Sequence, residues 1–173
     1  MKSFKRLDGQ DIAYFESLMP ARVFHGQAIS EDYDHDEMTE YGRYLPEAVL
    51  QALSAQEVSD VLSYCNRHHI AVTPRGAGTG LCGGCVALYG GIVLSTEKMN
   101  RVLEVDTSNM TATVQPGVLL MDFPKALEGT GLFYQETELC VVYINGEYWG
   151  HYNMRERVCA AMICQYEGWE GQE

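Results

Sequence analysis

Apolar positions along the chain follow two periods, and each change of period marks an element. Over residues 1–29, Ile12, Phe15 and Met19 recur near the helical repeat and Pro20 closes the run, so the spacing predicts an amphipathic helical lead-in. The pattern lapses in "SEDYDHDEMTEYG" (residues 30–42), which is acidic, aperiodic and reads as a solvated surface segment. Order returns at Pro46. "EAVLQAL" is a short apolar run with strand character. "SAQE" then offers Ser54 as a helix cap and Glu57 as the group that reaches back. Val58, Val61, Leu62 and Cys65 follow on one helical face, which places Cys65 in the core. Asn66 to His69 ends that helix, and "IAVT" is the next strand. The result is a strand–helix–strand unit, for which a parallel pairing follows the right-handed crossover rule.

Downstream, "GGIVLST" reads as a further strand. Val102–Asp106 and Thr111–Gln115, split by the polar "TSN", read as an antiparallel hairpin. Leu119, Leu120, Phe123 and Leu127 share a helical face, closed by Gly129 and Gly131. Pro124 fits that helix only in its first turn, where no intrahelical N–H is needed. Near the end, "VVYINGEYWGHYNM" predicts a second hairpin about Asn145–Gly146, a dipeptide that accepts positive φ at both turn positions. The last stretch, "RERVCAAMICQYEGWEGQE", reads as a short helix fraying into an acidic tail, and no internal repeat is visible.

Composition narrows the classes. A chain of 173 residues with 46% hydrophobic content can bury a core. Its net charge of −12 argues against nucleic acid or an anionic membrane as main partner, because both reward Lys and Arg. No apolar run approaches the roughly 20 residues of a membrane span, and the first residues show no apolar signal core. These features predict a cytoplasmic protein with no membrane insertion and with its six Cys as thiols. His35 and its acidic neighbours match no established metal-ligand spacing.

The segment with the most chemistry is "VTPRGAGTGLCGGC" (residues 72–85), a strand-like entry into a glycine-dense loop. Ordering so many glycines costs conformational entropy, and that cost has a use where backbone must lie close against a ligand. Gly78, Gly80 and Gly83 satisfy the G-x-G-x-x-G arithmetic, but the dinucleotide fold also needs a helix to start at the loop. Here "GCVALYGGIVLS" follows, and no helix fits. The triphosphatase phosphate loop fails too, since no Gly-Lys-Ser/Thr ends the run. What survives is a nest: successive backbone N–H groups in a glycine-rich turn form a concavity for anions. Thr79 can add a hydroxyl, and Arg75 can add charge or anchor the loop. Cys82 and Cys85 form a C-x-x-C without a second Cys/His pair at a usable zinc spacing, and small-residue filler is the favoured reading.

Taken together, "VTPRGAGTGLCGGCVALYGGIVLSTEKMNRVLEVD" and "NMTATVQPGVLLMDF" resemble the PCMH-type FAD-binding domain of the vanillyl-alcohol-oxidase superfamily. The nearest resemblance is to the D-type subunits of glycolate and D-lactate oxidases, over roughly Glu37 to Tyr134. The resemblance implies an α+β fold: a partial PCMH-type domain with a small mixed sheet, two main helices on one side, and the glycine loop at an edge or mouth. It also implies FAD as cofactor. The loop would wrap the diphosphate, making Pro74, Arg75, Gly76, Ala77, Gly78, Thr79, Gly80, Gly83 and Gly84 cofactor candidates. Pro116 and Gly117 would lie near the flavin side. The implied reaction is oxidation of a 2-hydroxy acid such as glycolate or D-lactate, by a fragment that is incomplete alone and binds FAD weakly or not at all. No catalytic base can be named: His25, His35, His68, His69 and His151 match none of the family's substrate-side positions.

The tail departs from that pattern. "VYINGEYWGHYNMRERV" resembles a segment of CotH-type spore-coat kinases, over residues 141–158 only. The organisation expected is therefore a helical and acidic lead-in (1–36), a partial FAD-binding domain (37–134), and a CotH-like hairpin with an acidic tail (135–173). The alternative function is a non-catalytic interaction module or kinase remnant working through that hairpin. Other oxidase subunits, or a second copy of the chain, are the expected protein partners.

Overall fold

A computed structural model describes residues 4–37, 40, 42–130, 137–144 and 147–155, the last two ranges through their backbone. The chain divides into two compact units, Met1–Arg101 with Val114–Val118, and Val102–Thr113 with Leu119–Glu173.

In the first unit, α1 (Gly9–Leu18) starts where Asp8 accepts from the backbone N–H of Gln10 and Asp11, while the Asp11 carboxylate accepts back from the Asp8 N–H. Asp11 is fully buried because Lys5 and the Tyr64 hydroxyl also donate to it. The expected helix is shorter than the lead-in, and β1 (Val23–His25) follows it. No periodicity announces a strand of three residues. It exists because it pairs antiparallel with β2 (Ala48–Gln51). The residues before 37 thus build part of the sheet.

Ser54 caps α2 (Ala55–His68) through the Glu57 N–H, as the sequence predicts. Glu57 reaches back one residue further than a capping box requires, to the Leu53 N–H at 2.8 Å, and both its oxygens meet the Arg22 guanidinium. Arg22 also donates to the Gln51 carbonyl at 2.9 Å, so one fork joins the β1 entrance, the end of β2 and the start of α2. Val61 and Cys65 are buried and Val58 is half-buried, but Leu62 is 45% exposed. Tyr64 takes the flank of the stripe instead, stacked between Tyr14 at 4.0 Å and His68 at 4.1 Å.

The strand–helix–strand unit continues into β3 (Val72–Arg75), and β4 (Ile92–Ser95) then inserts between β2 and β3, parallel to both. The sheet order is β1-β2-β4-β3, mixed because β1 alone runs antiparallel. One face packs on α1 and α2 through Phe15, Met19, Leu50, Val61, Ile92 and Leu94; each such side chain contributes about 1.5–3 kcal/mol of burial. The opposite face carries Val49, Ala87 and Val93 under Phe24, Ile29 and Tyr33, with no α-helix among the described residues. Helices on one side and connecting segments on the other are the expected arrangement.

In the second unit, β5 (Val102–Asp106) pairs with β6 (Thr111–Val114) as predicted. The Asp106 carboxylate closes their turn by accepting from the Ser108 and Asn109 N–H groups. The following helix, α3 (Phe123–Leu127), is one turn with Pro124 at its start, and only Leu127 of the expected face is buried. Leu119 and Leu120 precede it and are exposed. β7 (Thr137–Ile144) and β8 (Glu147–Arg155) form the predicted late hairpin, with a register shift at Val142/Tyr143. Its Asn145–Gly146 turn and the expected final helix lie outside the described residues.

Candidate functional site

Three parallel strands end level, with Gln51, Ser95 and Arg75 side by side in register. Ligand sites in parallel sheets form beyond such carboxyl ends. The glycine loop leaves from this edge. After Arg75 the chain runs without a helix until β4 begins at Ile92. Pro74, Ala77, Thr79, Gly80 and Gly84 are exposed, and Gly76, Gly78 and Gly83 are half-exposed.

Arg75 is the exception, at 7% exposure. Its guanidinium donates to the Asp32 carbonyl at 2.7 Å, the His35 carbonyl at 2.7 Å and the Cys85 Sγ at 3.3 Å, and it stands 5.3 Å from the centre of the Tyr33 ring. It also fills the position that a β-carbon on Gly78 would take, and Gly78 has a φ of +78°. Both facts require glycine there. No carboxylate lies within ion-pair distance of Arg75 among the described residues. Its partners are neutral oxygens and a thiol, and its guanidinium lies directly under Gly78. Arg75 is therefore the anchor and the floor of the loop.

Above that floor, the amides of Gly76, Ala77, Gly78, Thr79 and Gly80 meet no acceptor among the described residues. Gly83 differs, because its N–H donates to the Asp36 carboxylate at 2.8 Å. Nothing lies within 4 Å of where β-carbons on Gly76, Gly80 and Gly84 would stand. A run of free donors with open space beside it, over a buried cation, fits a dinucleotide's diphosphate. On this ground the residues present suit FAD.

Pro116 and Gly117 reach the same neighbourhood by another route. The Thr96 N–H donates to the Arg75 carbonyl at 2.9 Å, which hangs the turn Thr96–Met99 on the end of β3. Gly117 packs on that turn: its N–H donates to the Met99 carbonyl at 2.8 Å, and a β-carbon on it would strike the Thr96, Glu97 and Met99 carbonyl oxygens. Gly117 is thus required by close backbone approach, while Pro116 is exposed. One turn carries both segments.

Asp32, Tyr33, His35 and Asp36, which hold the loop, sit in the acidic stretch that reads as a solvated segment. That expectation is corrected in part: a 3-10 turn over Glu31–Asp34 brings Tyr33 against the sheet, and Asp36 is only 3% exposed. Two of the four act through backbone carbonyls, which no side-chain pattern reveals, and the contacts span 40 to 47 positions of sequence. Among the described residues no three His, Cys, Asp or Glu side chains converge into a metal site. His35 Nδ1 instead meets the Asp34 carboxylate at 2.6 Å. No described helix is long and apolar enough to cross a membrane.

The FAD binding domain family matches residues 46–143. The chain belongs to that family. Among its relatives, a D-lactate dehydrogenase of Anaerostipes hadrus is 42% identical over 131 residues, covering 76% of this chain and 28% of the relative. A glycolate oxidase subunit GlcD of Bacillus subtilis (strain 168) is 44% identical over 102 residues, covering 59% of this chain and 22% of that protein. The chain spans about a quarter of the length of these relatives. In fold it is similar to p-cresol methylhydroxylase with substrate bound, with a TM-score of 0.64 at 21% identity over 79% of this chain and 28% of that one. The family match runs past residue 134 into β7. The CotH-type resemblance finds no support in these comparisons.

Proposed function

We propose that this FAD-binding domain holds the diphosphate of FAD in a flavin-dependent oxidoreductase acting on 2-hydroxy acids of the glycolate or D-lactate type. The observation that carries the reading is the row of unengaged amides on Gly76–Gly80 above the Arg75 guanidinium. Relatives named D-lactate dehydrogenase and glycolate oxidase subunit support the substrate class. Bound flavin supplies the acceptor for the hydride leaving the hydroxyl-bearing carbon. The chain's own contribution is positional. Gly76–Gly80 donate to phosphate oxygens, Gly78 lets the backbone lie on the guanidinium, Arg75 offsets the diphosphate charge, and Gly117 holds its segment against the Thr96–Met99 turn.

Titrating FAD into the purified chain while following flavin fluorescence tests this. Saturable but weak quenching is expected, relieved by ADP, which shares the diphosphate, and absent with riboflavin, which has none. Equal quenching by riboflavin, or none by FAD at any concentration, overturns the reading.

A further inference from the structure

The glycine loop is not one continuous nest. Its first half, Gly76–Gly80, keeps its amides unengaged, whereas its second half is tied at Gly83. There the N–H is held by the Asp36 carboxylate at 2.8 Å and the carbonyl accepts from the Val86 N–H at 3.2 Å. Gly83 has a φ of +68°, so both bonds pin a left-handed residue at the point where the loop turns back. Asp36 is 3% exposed and lies ten positions ahead of the family-matched residues 46–143. It is carried by the same turn whose Asp32 and His35 carbonyls hold Arg75.

We propose that Asp36 is a positioning residue for the cofactor: its carboxylate holds the Gly83 amide, fixes the left-handed turn, and so presets the Gly76–Gly80 amides for a diphosphate. The inference rests on the FAD reading. A glycine-dense loop left to itself loses much entropy when a ligand orders it, and a tie made before binding removes that cost from the binding step. The tie sits at the far end of the loop from the free amides, so Asp36 takes a donor the ligand does not use. What matters is an acceptor at the Asp36 position, not a negative charge near the loop.

Two substitutions in the full chain separate those alternatives. Asp36→Asn keeps an acceptor oxygen in place and removes the charge. Asp36→Glu keeps the charge and moves the acceptor by one methylene. Hydrogen exchange over residues 76–86 is measured without FAD, with residues 92–95 of β4 as internal control, and the FAD dissociation constant is measured by quenching. The expected result is that Asp36→Asn matches the parent in both. Asp36→Glu should exchange faster in the loop alone and bind FAD up to about tenfold more weakly, the range for losing one hydrogen bond. Faster loop exchange in Asp36→Asn with none in Asp36→Glu overturns the proposal, as does parent-like behaviour in both. If the parent chain does not bind FAD, the proposed function fails, while the exchange comparison still decides whether Asp36 sets the loop.

Discussion

The Arg75 guanidinium occupies the volume that a β-carbon on Gly78 would need, so the two positions determine one another. Replacing either should disturb the same object. Arg75→Ala removes donors from two backbone carbonyls inside a nearly closed site, and a loss of about 2 kcal/mol is expected for such charge-assisted bonds. Arg75→Lys cannot reach the Asp32 and His35 carbonyls with one planar fork and should recover little of it. Thermal unfolding of the three proteins side by side checks this.

The glycines divide into those that the fold requires and those that a ligand would require. Gly117→Ala drives a β-carbon into three backbone carbonyl oxygens that cannot swing aside, so it should lower stability by several kcal/mol or prevent folding. Gly76→Ala and Gly80→Ala point into open space without positive φ, and their melting points should stay within the small range of ordinary surface changes, about 0.5 kcal/mol. Yet both put a methyl group where the diphosphate is proposed to lie. FAD titration should therefore show weakening of tenfold or more in two well-folded proteins. Unchanged affinity in both would count against the loop as the diphosphate site.

Acid should unfold the first unit through its ion pairs. The Arg22 fork holds the Glu57 carboxyl below the ordinary carboxylate range, against the cost of burial. For Asp11 burial acts to raise the value, and the hydrogen bonds from Lys5, the Asp8 N–H and Tyr64 outweigh it. Carboxyls depressed in the folded state stabilise it fully above their unfolded values, near pH 4, and lose that contribution as pH falls through the lower folded values. The melting temperature should thus be insensitive to these groups from pH 5 to 8 and fall below about pH 4. Glu57→Gln keeps the acceptor for the Leu53 N–H but loses the charge. It should melt lower than the parent at neutral pH, and the gap should narrow as pH drops.

Thiol reactivity should follow burial. The Cys65 thiol is pushed up to about 12 by burial, with the Asp11 charge adding to it, while Cys82 is exposed. Peptide mapping after brief alkylation of the folded chain at pH 8 should find Cys82 modified and Cys65 untouched. Cys85, buried against Arg75, should react more slowly than Cys82. Cys65 should label only after denaturation.

Much of the fold was legible because local physics and tertiary packing agree. Ser54 capping α2, the Val58–Val61–Cys65 stripe and the β5–β6 turn each follow from neighbouring residues alone. β1 was invisible because three residues carry no period, and Leu62 was misplaced because Tyr64 offered a better fit against Tyr14. In the site, the glycine loop announced itself, and the absence of a following helix was readable from "GCVALYGGIVLS". Its supports were not: the Asp32 and His35 carbonyls are the same atoms in every residue, and Asp36 looks like any acid in an acidic stretch.

The sequence by itself determined where backbone could come close to an anion, because only glycine permits that backbone and its spacing excludes the helical alternatives. It also determined the start of α2, since the Ser54 cap is a local property. Tertiary structure alone decided which loop amides stay unengaged and that Arg75 turns beneath them. It alone made Asp36, from a segment that looks solvated, close on Gly83. Those outcomes depend on chain positions 40 or more apart meeting in space, and a contact of that kind leaves no trace in the order of neighbouring residues.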